Sequence, residues 1–181
     1  MIVVIDTSSL LSLVRYYLPF DKQNVLFDFI KTKIEAGEII ILDKVFEECK
    51  YISKGIVVES LDYLKSKKNQ IKTSELLPTT KFFNQLENQF INGSIKNKLS
   101  NVEFENRKDS FLESADVKLL LFGLSYKNSF DRLIIVSEET AVSNDNKSFK
   151  KLPAICQILN LEIKTLPELL ELYEGIAVEF K

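Results

Sequence analysis

The sequence contains no histidine. That absence removes imidazole chemistry: Ser-His-Asp triads, Cys-His dyads and HExxH zinc sites all need the ring. Cysteine is almost as scarce. Cys49 and Cys156 are the only two and form no CxxC pair, which excludes a disulfide scaffold and a zinc finger and suits a reducing cytoplasm. The five glycines make neither GxGxxG nor a Walker A loop, so a nucleotide-cofactor fold has no support. No apolar run approaches the roughly 18–20 residues of a membrane helix. The opening MIVVIDTSSLL has no basic segment before Asp6 interrupts it, so it does not read as a secretory signal. Basic charge is not in excess either. The 24 Lys and Arg against 26 Asp and Glu give a net charge of −2, which argues against a globally basic nucleic-acid binder but allows a local basic patch. The expectation is a cytoplasmic protein without membrane association. Its acid–base or metal chemistry must come from carboxylates, helped by Lys, Tyr or Ser.

What is present suits one α/β domain. The 181 residues, 45% of them hydrophobic, suffice for a full core without staples. Ile2–Ile5 is an unalternating apolar run, as in a strand covered on both faces. Residues 38–42, 133–136 and 161–164 read as further strands, and 176–180 as a weakly alternating terminal one. Helices are expected over 10–17, 22–36 (stopped by Gly37), 44–53, 57–67, 81–91, 114–126, 153–159 and from Pro167 onward. Strands alternating with helices predict a mainly parallel sheet. Residues 66–110 differ in character. They are polar and interrupted by Pro78 and Gly93, and from Lys65 to Lys108 nine Lys and Arg face four Glu. This segment reads as a locally basic insertion within a single domain spanning 1–181. Its excess charge is either a solvated face or a source of phosphate contacts. Tyr16, Tyr17, Phe82 and Phe83 are core residues or surfaces for base stacking.

Ligand sites of open parallel sheets lie outside the carboxyl ends of the strands. Asp6 follows the first strand directly, and Glu138 and Glu139 follow the strand at 133–136. Asp116 lies on the helix over 114–126. With Leu119 at zero on a helical wheel, it falls at about 60°, inside the apolar stripe. A bare carboxylate there is costly unless a cation or donors meet it. On the helix after residue 43, Val45 and Cys49 mark the buried face. Glu47 falls at about 200°, towards solvent, and Glu48 at about −60°, at the edge of the core, so Glu48 is preferred. Each has a plain alternative: Asp6 as a helix cap, Asp116 at its helix N-terminus or paired with a buried lysine, Glu48 and Glu139 as surface acids. Ser8 and Ser137 are turn or capping hydroxyls, or orient a ligand or water. Oxygen-only ligands suit Mg²⁺ or Mn²⁺ rather than zinc. Such ions activate water and stabilise charge on a phosphoryl centre.

Together these residues resemble the PIN domain, the nuclease fold of VapC-like toxins. The resemblance rests on VVIDTSSLL at the first strand, DKVFEECK with Glu48, SADVKLLLFG with Asp116, and IIVSEET with Ser137 and Glu139. The closing KLPAICQILNLEIKTLPELL is similar as well. The resemblance implies an α/β three-layer sandwich and an Mg²⁺- or Mn²⁺-dependent endoribonuclease, as in the toxin of a toxin–antitoxin pair. It implies Asp6, Glu48, Asp116 and Glu139 as catalytic metal ligands, RNA as substrate, an antitoxin as protein partner and frequent dimerisation. Ser8, Ser137 and Glu138 become supporting residues. Two departures stand out. Glutamate replaces the family's terminal aspartate, with Glu138 beside it, which keeps open a catalytically weak or inactive RNA- or protein-binding module. Residues 66–110 exceed a minimal PIN domain, as a lid, an antitoxin-binding clip or ornament. An unrelated phosphatase lacks the second Asp of its DxD motif here.

Overall fold

The structure is a computed structural model that describes residues 1–127, 129–141 and 147–173. The strand expected at 176–180 lies outside the described residues. Five strands form one sheet: β1 (Ile2–Ile5), β2 (Ile39–Leu42), β3 (Gln70–Ile71), β4 (Leu133–Val136) and β5 (Ile163–Lys164). Their order is β3-β2-β1-β4-β5 and every pairing is parallel. The sheet therefore runs outward from β1 in both directions. Right-handed crossovers then place the connecting helices on opposite faces, which gives three layers. The strands read as continuous apolar runs because both faces are covered: Val3, Val4, Ile5 and all of β2 are buried.

The first helix, α1 (Thr7–Ser12), starts one residue after β1 and loosens into a π turn over Leu13–Tyr17. Helix α2 (Val25–Glu35) buries Leu26, Ile30 and Ile34. It ends as Gly37 adopts φ +74°, with Gly37 N donating to Ile34 O and Glu38 N to Lys33 O. This paired C-terminal closure needs a left-handed residue, which glycine adopts without a Cβ penalty. Helix α3 (Asp43–Cys49) follows β2 without a loop, and α4 (Ile56–Ser60) is shorter than the periodicity predicts because Leu61 leaves helical geometry.

The polar segment is folded rather than loop-like. It carries β3, α5 (Thr80–Gln85), α6 (Gly93–Lys96) and α7 (Asn101–Leu112), the last three belonging to the link from β3 to β4. Phe82, Leu86, Phe90 and Phe104 from this segment join the central core. The sequence reading missed β3 and α7. Helix α7 had a legible start, because Ser100 and Glu103 form a capping box with both reciprocal bonds present. Helix α8 (Ala115–Ser125) is the central helix, buried from Val117 to Gly123. At Gly123 an added Cβ would come within 3.3–3.4 Å of Leu161 and Ile135. The helix therefore packs closely on the sheet there. Helices α9 (Leu152–Leu159) and α10 (Leu166–Leu170) flank β5, each with proline at its start. Cys49 and Cys156 are buried, and burial pushes both thiols up to about 12, so they pack as core and are not reactive. Among the described residues no helix is long and apolar enough to cross a membrane.

Candidate active site

Strand order reverses between the adjacent strands β1 and β4, and the crevice at such a switch point opens beyond the strands' carboxyl ends. Register carries two of the polar site residues there. Ile5 pairs with Val136, so Asp6 and Ser137 emerge side by side, and Asp6 N donates to Val136 O at 2.8 Å. Asp6 is 4% exposed. Its Oδ1 accepts from Thr7 N at 2.7 Å. Its Oδ2 accepts from Ser8 Oγ at 2.6 Å and from Ser137 Oγ at 2.9 Å. It caps α1 and anchors the crevice with the same carboxylate, so the cap and site readings are not exclusive.

The two serines brace the turn after β4. Ser8 Oγ accepts from Glu138 N at 3.0 Å, and Ser137 Oγ accepts from Glu139 N at 3.2 Å. These bonds separate the two neighbouring glutamates. Glu138 Oε1 takes Leu166 N at 2.6 Å, at the start of α10. Glu139 Oε2 takes Leu152 N at 3.3 Å, at the start of α9, and its charge falls on Glu48 and Asp116. Glu139, not Glu138, is the glutamate of the acidic group.

Glu48 reaches the crevice from α3, where Thr7 Oγ1 donates to its Oε2 at 2.7 Å. Glu47 points away and meets Lys44 at 3.6 Å. Desolvation raises the Glu48 pKa most. The Thr7 bond lowers it, Asp6 and Glu139 raise it, and Lys147 lowers it. Asp116, in the first turn of α8, lines an open cleft. Its carboxyl is pushed up to about 7, first by burial and then by the charges of Asp6, Glu139 and Glu48, against a lowering by Lys147. Among the described residues no hydrogen-bond donor is paired with this carboxylate. Four acids far apart in sequence thus share one electrostatic neighbourhood.

Two features of the site were not singled out from the sequence. Thr7 is the positioning hydroxyl for Glu48, and its signal was its place inside Asp-Thr-Ser-Ser. Lys147, Lys150 and Lys151 stand beside the acids in the cleft. Their signal was the run KSFKK after the fourth strand's acids. Tyr16 is 64% exposed, whereas Phe82 is buried against Phe90 in an edge-to-face pair, so Phe82 offers no face to a base.

The family model for a domain of unknown function, DUF4411, matches residues 3–174. The chain belongs to the DUF4411 family. The match runs from β1 past α10 and takes in all four acids and the polar segment, so within DUF4411 the segment is part of the family's own span. No curated protein and no solved structure matches the chain.

Among the described residues, no three acidic or thiol side chains are grouped closely enough to enclose an ion as they stand. The chemistry of the donor set nonetheless fits a hard divalent cation. All four groups are carboxylates, Asp116 and Glu48 have their proton affinity raised by burial and then by the other acids, and among the described residues Asp116 has no donor to offset its burial.

Proposed function

We propose that this protein is a divalent-metal-dependent endoribonuclease resembling the PIN family. The observation that carries the reading is Asp116. It is a half-buried carboxylate without a hydrogen-bond partner among the described residues, raised to about 7 by burial and by the three acids predicted to join it. Such crowding is costly for a purely structural group and useful for one that holds a cation.

In this reading Asp6, Glu48, Asp116 and Glu139 hold Mg²⁺ or Mn²⁺. Such an ion supplies activation of water and charge neutralisation at a phosphoryl group. The chain's own residues do the positioning. Ser8 and Ser137 fix the Asp6 carboxylate, and Thr7 fixes that of Glu48. The bond from Leu152 N fixes Glu139. Without a metal, Asp116 keeps a proton up to about 7, so ion binding near neutral pH displaces it. Lys147 sets a positive charge against Asp116 and Glu48 and is placed to attract a phosphodiester to them.

The test is cleavage of a labelled single-stranded RNA with Mn²⁺ by wild type, Asp6→Asn and Asp116→Asn. Each substitution is expected to lower the rate at least ~100-fold, and equal rates in all three proteins would end the reading. One observation favours a weaker relative, a binding module on the same fold. Glu139 already spends an oxygen on α9. Calorimetric titration separates the two, because sub-millimolar Mn²⁺ binding that Asp116→Asn removes supports the nuclease.

A further inference from the structure

The cleft beside the acids has a second chemistry. Its volume is about 420 Å³, within the roughly 300–1,000 Å³ of sites that enclose one small molecule. Asp116 and Glu139 stand on its lining with Arg107, Lys147, Lys150 and Lys151. Among the described lining residues, four cations stand against two carboxylates in a protein of net charge −2. Phe111 and Phe149, stacked with centroids 4.3 Å apart and planes 8° from parallel, form its apolar part.

The polar segment builds this wall. Ile91 pairs with Phe149 in an antiparallel bridge. Asn92 N donates to Ser148 O at 2.8 Å, Lys150 N to Phe90 O at 2.7 Å, and Asn92 Nδ2 to Lys147 O at 2.7 Å. From α7, Arg107 Nη1 donates to Ser148 Oγ at 2.9 Å. Every one of these bonds ties residues 90–107 to residues 147–150. The segment therefore holds the lysine run against the acids and adds a guanidinium of its own. Lys108 on the same helix pairs with Glu87 and Glu105 and is not among the residues that line the cleft.

We infer that this cleft is a backbone-phosphate subsite for single-stranded RNA. In it Arg107, Lys150 and Lys151 hold the nucleotide next to the phosphodiester at the acids, and its base packs on the partly exposed Phe111, which Phe149 backs from the core side. The substrate class rests on the nuclease reading, whereas the place and charge of the subsite rest on the cleft. Phosphate contacts need cations at backbone spacing and no sequence code. An aromatic face accepts any base. The cleft's size suits one unpaired nucleotide and not a duplex. Residues 66–110 are then a substrate-binding wall.

The experiment is fluorescence anisotropy with a labelled single-stranded RNA of about 12 nucleotides, within the usual site size of such proteins, in EDTA, where cleavage cannot intervene. The proteins are wild type, the triple variant Arg107→Gln/Lys150→Gln/Lys151→Gln, Arg107→Lys, and the control Lys67→Gln/Lys68→Gln from the same polar segment. The triple variant is expected to bind at least ~10-fold more weakly and to flatten the salt dependence by about one unit of slope for each phosphate no longer held. Arg107→Lys should keep most of the affinity, and the control should change by less than about twofold. Equal losses in control and triple variant overturn the subsite, as does wild type that does not bind. Thermal unfolding of each variant separates lost binding from lost folding, and Arg107→Gln alone, with an expected loss of about threefold, serves if the triple variant is unfolded. The Mn²⁺ cleavage assay keeps the two readings apart. Binding lost in the triple variant with no cleavage by wild type upholds the subsite and sinks the nuclease, whereas cleavage with unaltered binding does the reverse.

Discussion

Thr7 shows how much one hydroxyl decides. It is 2% exposed and donates to Glu48, a carboxyl that burial and two neighbouring acids push towards its protonated form. The hydrogen bond favours the charged form and so opposes them. Thr7→Val keeps the shape and removes the donor. The Glu48 pKa should then rise further, and the acid limb of the pH–rate profile should move to higher pH. Stability should fall by about 1 kcal/mol, the usual net worth of such a bond. Chemical denaturation measures the second effect and Mn²⁺-dependent cleavage from about pH 5 to pH 8 the first. An acid limb that stays in place would remove Thr7 from the site. Asp6 differs in kind. Two backbone donors and two serine hydroxyls meet it, which is why a buried carboxylate is tolerable there.

At the scale of elements, the turn after β4 divides labour between adjacent glutamates. Glu138 fastens α10 and Glu139 fastens α9 while facing the acids. Glu138→Gln should therefore lower the melting temperature by a few degrees and leave the cleavage rate within about threefold. Glu139→Gln should lower cleavage at least ~10-fold, and the two kinetic profiles compared side by side decide which glutamate serves the site. The sequence could place both at the end of a strand but not choose between them, because the choice depends on where α9 and α10 begin in space. Glu48 was separable from Glu47 because a helical wheel fixes direction within one element. The strands were legible for the same local reason: β1, β2 and β4 are apolar runs that need both faces covered. What escaped was non-local or locally weak. Strand β3 is two residues held by β2, with only Gln70 and Ile71 to signal it. Helix α8 is buried almost all round, so its apolar stripe has no polar counterpart to set a direction. Asp116 lines the cleft because the helix begins there, not because a stripe ends.

For the whole molecule, the acids make folding and ion binding a single question. In the folded state Asp116 holds its proton up to about 7, against 3.8 for an ordinary aspartate. A carboxyl whose pKa is raised by folding contributes stability that is complete below the unfolded value and is lost as pH rises through the folded one. Metal-free protein should therefore weaken between about pH 4 and pH 7. Glu48, raised above its ordinary 4.5, acts in the same direction. A divalent cation binds the deprotonated form, so added Mn²⁺ should stabilise the protein more at about pH 8 than at about pH 5 and offset that loss. Asp116→Asn removes the charge that is costly to bury. In EDTA at about pH 8 it should melt roughly 3–6 °C above wild type, equivalent to about 1–2 kcal/mol in a chain of this size, and it should lose most of the Mn²⁺ response. Melting curves of both proteins from about pH 4 to pH 8, with EDTA and with Mn²⁺, measure all of this, and the difference between the two proteins isolates Asp116 from every other titrating group. Parallel curves in EDTA would mean that the carboxylate is well solvated, and the case for a cation among these four acids would go with it.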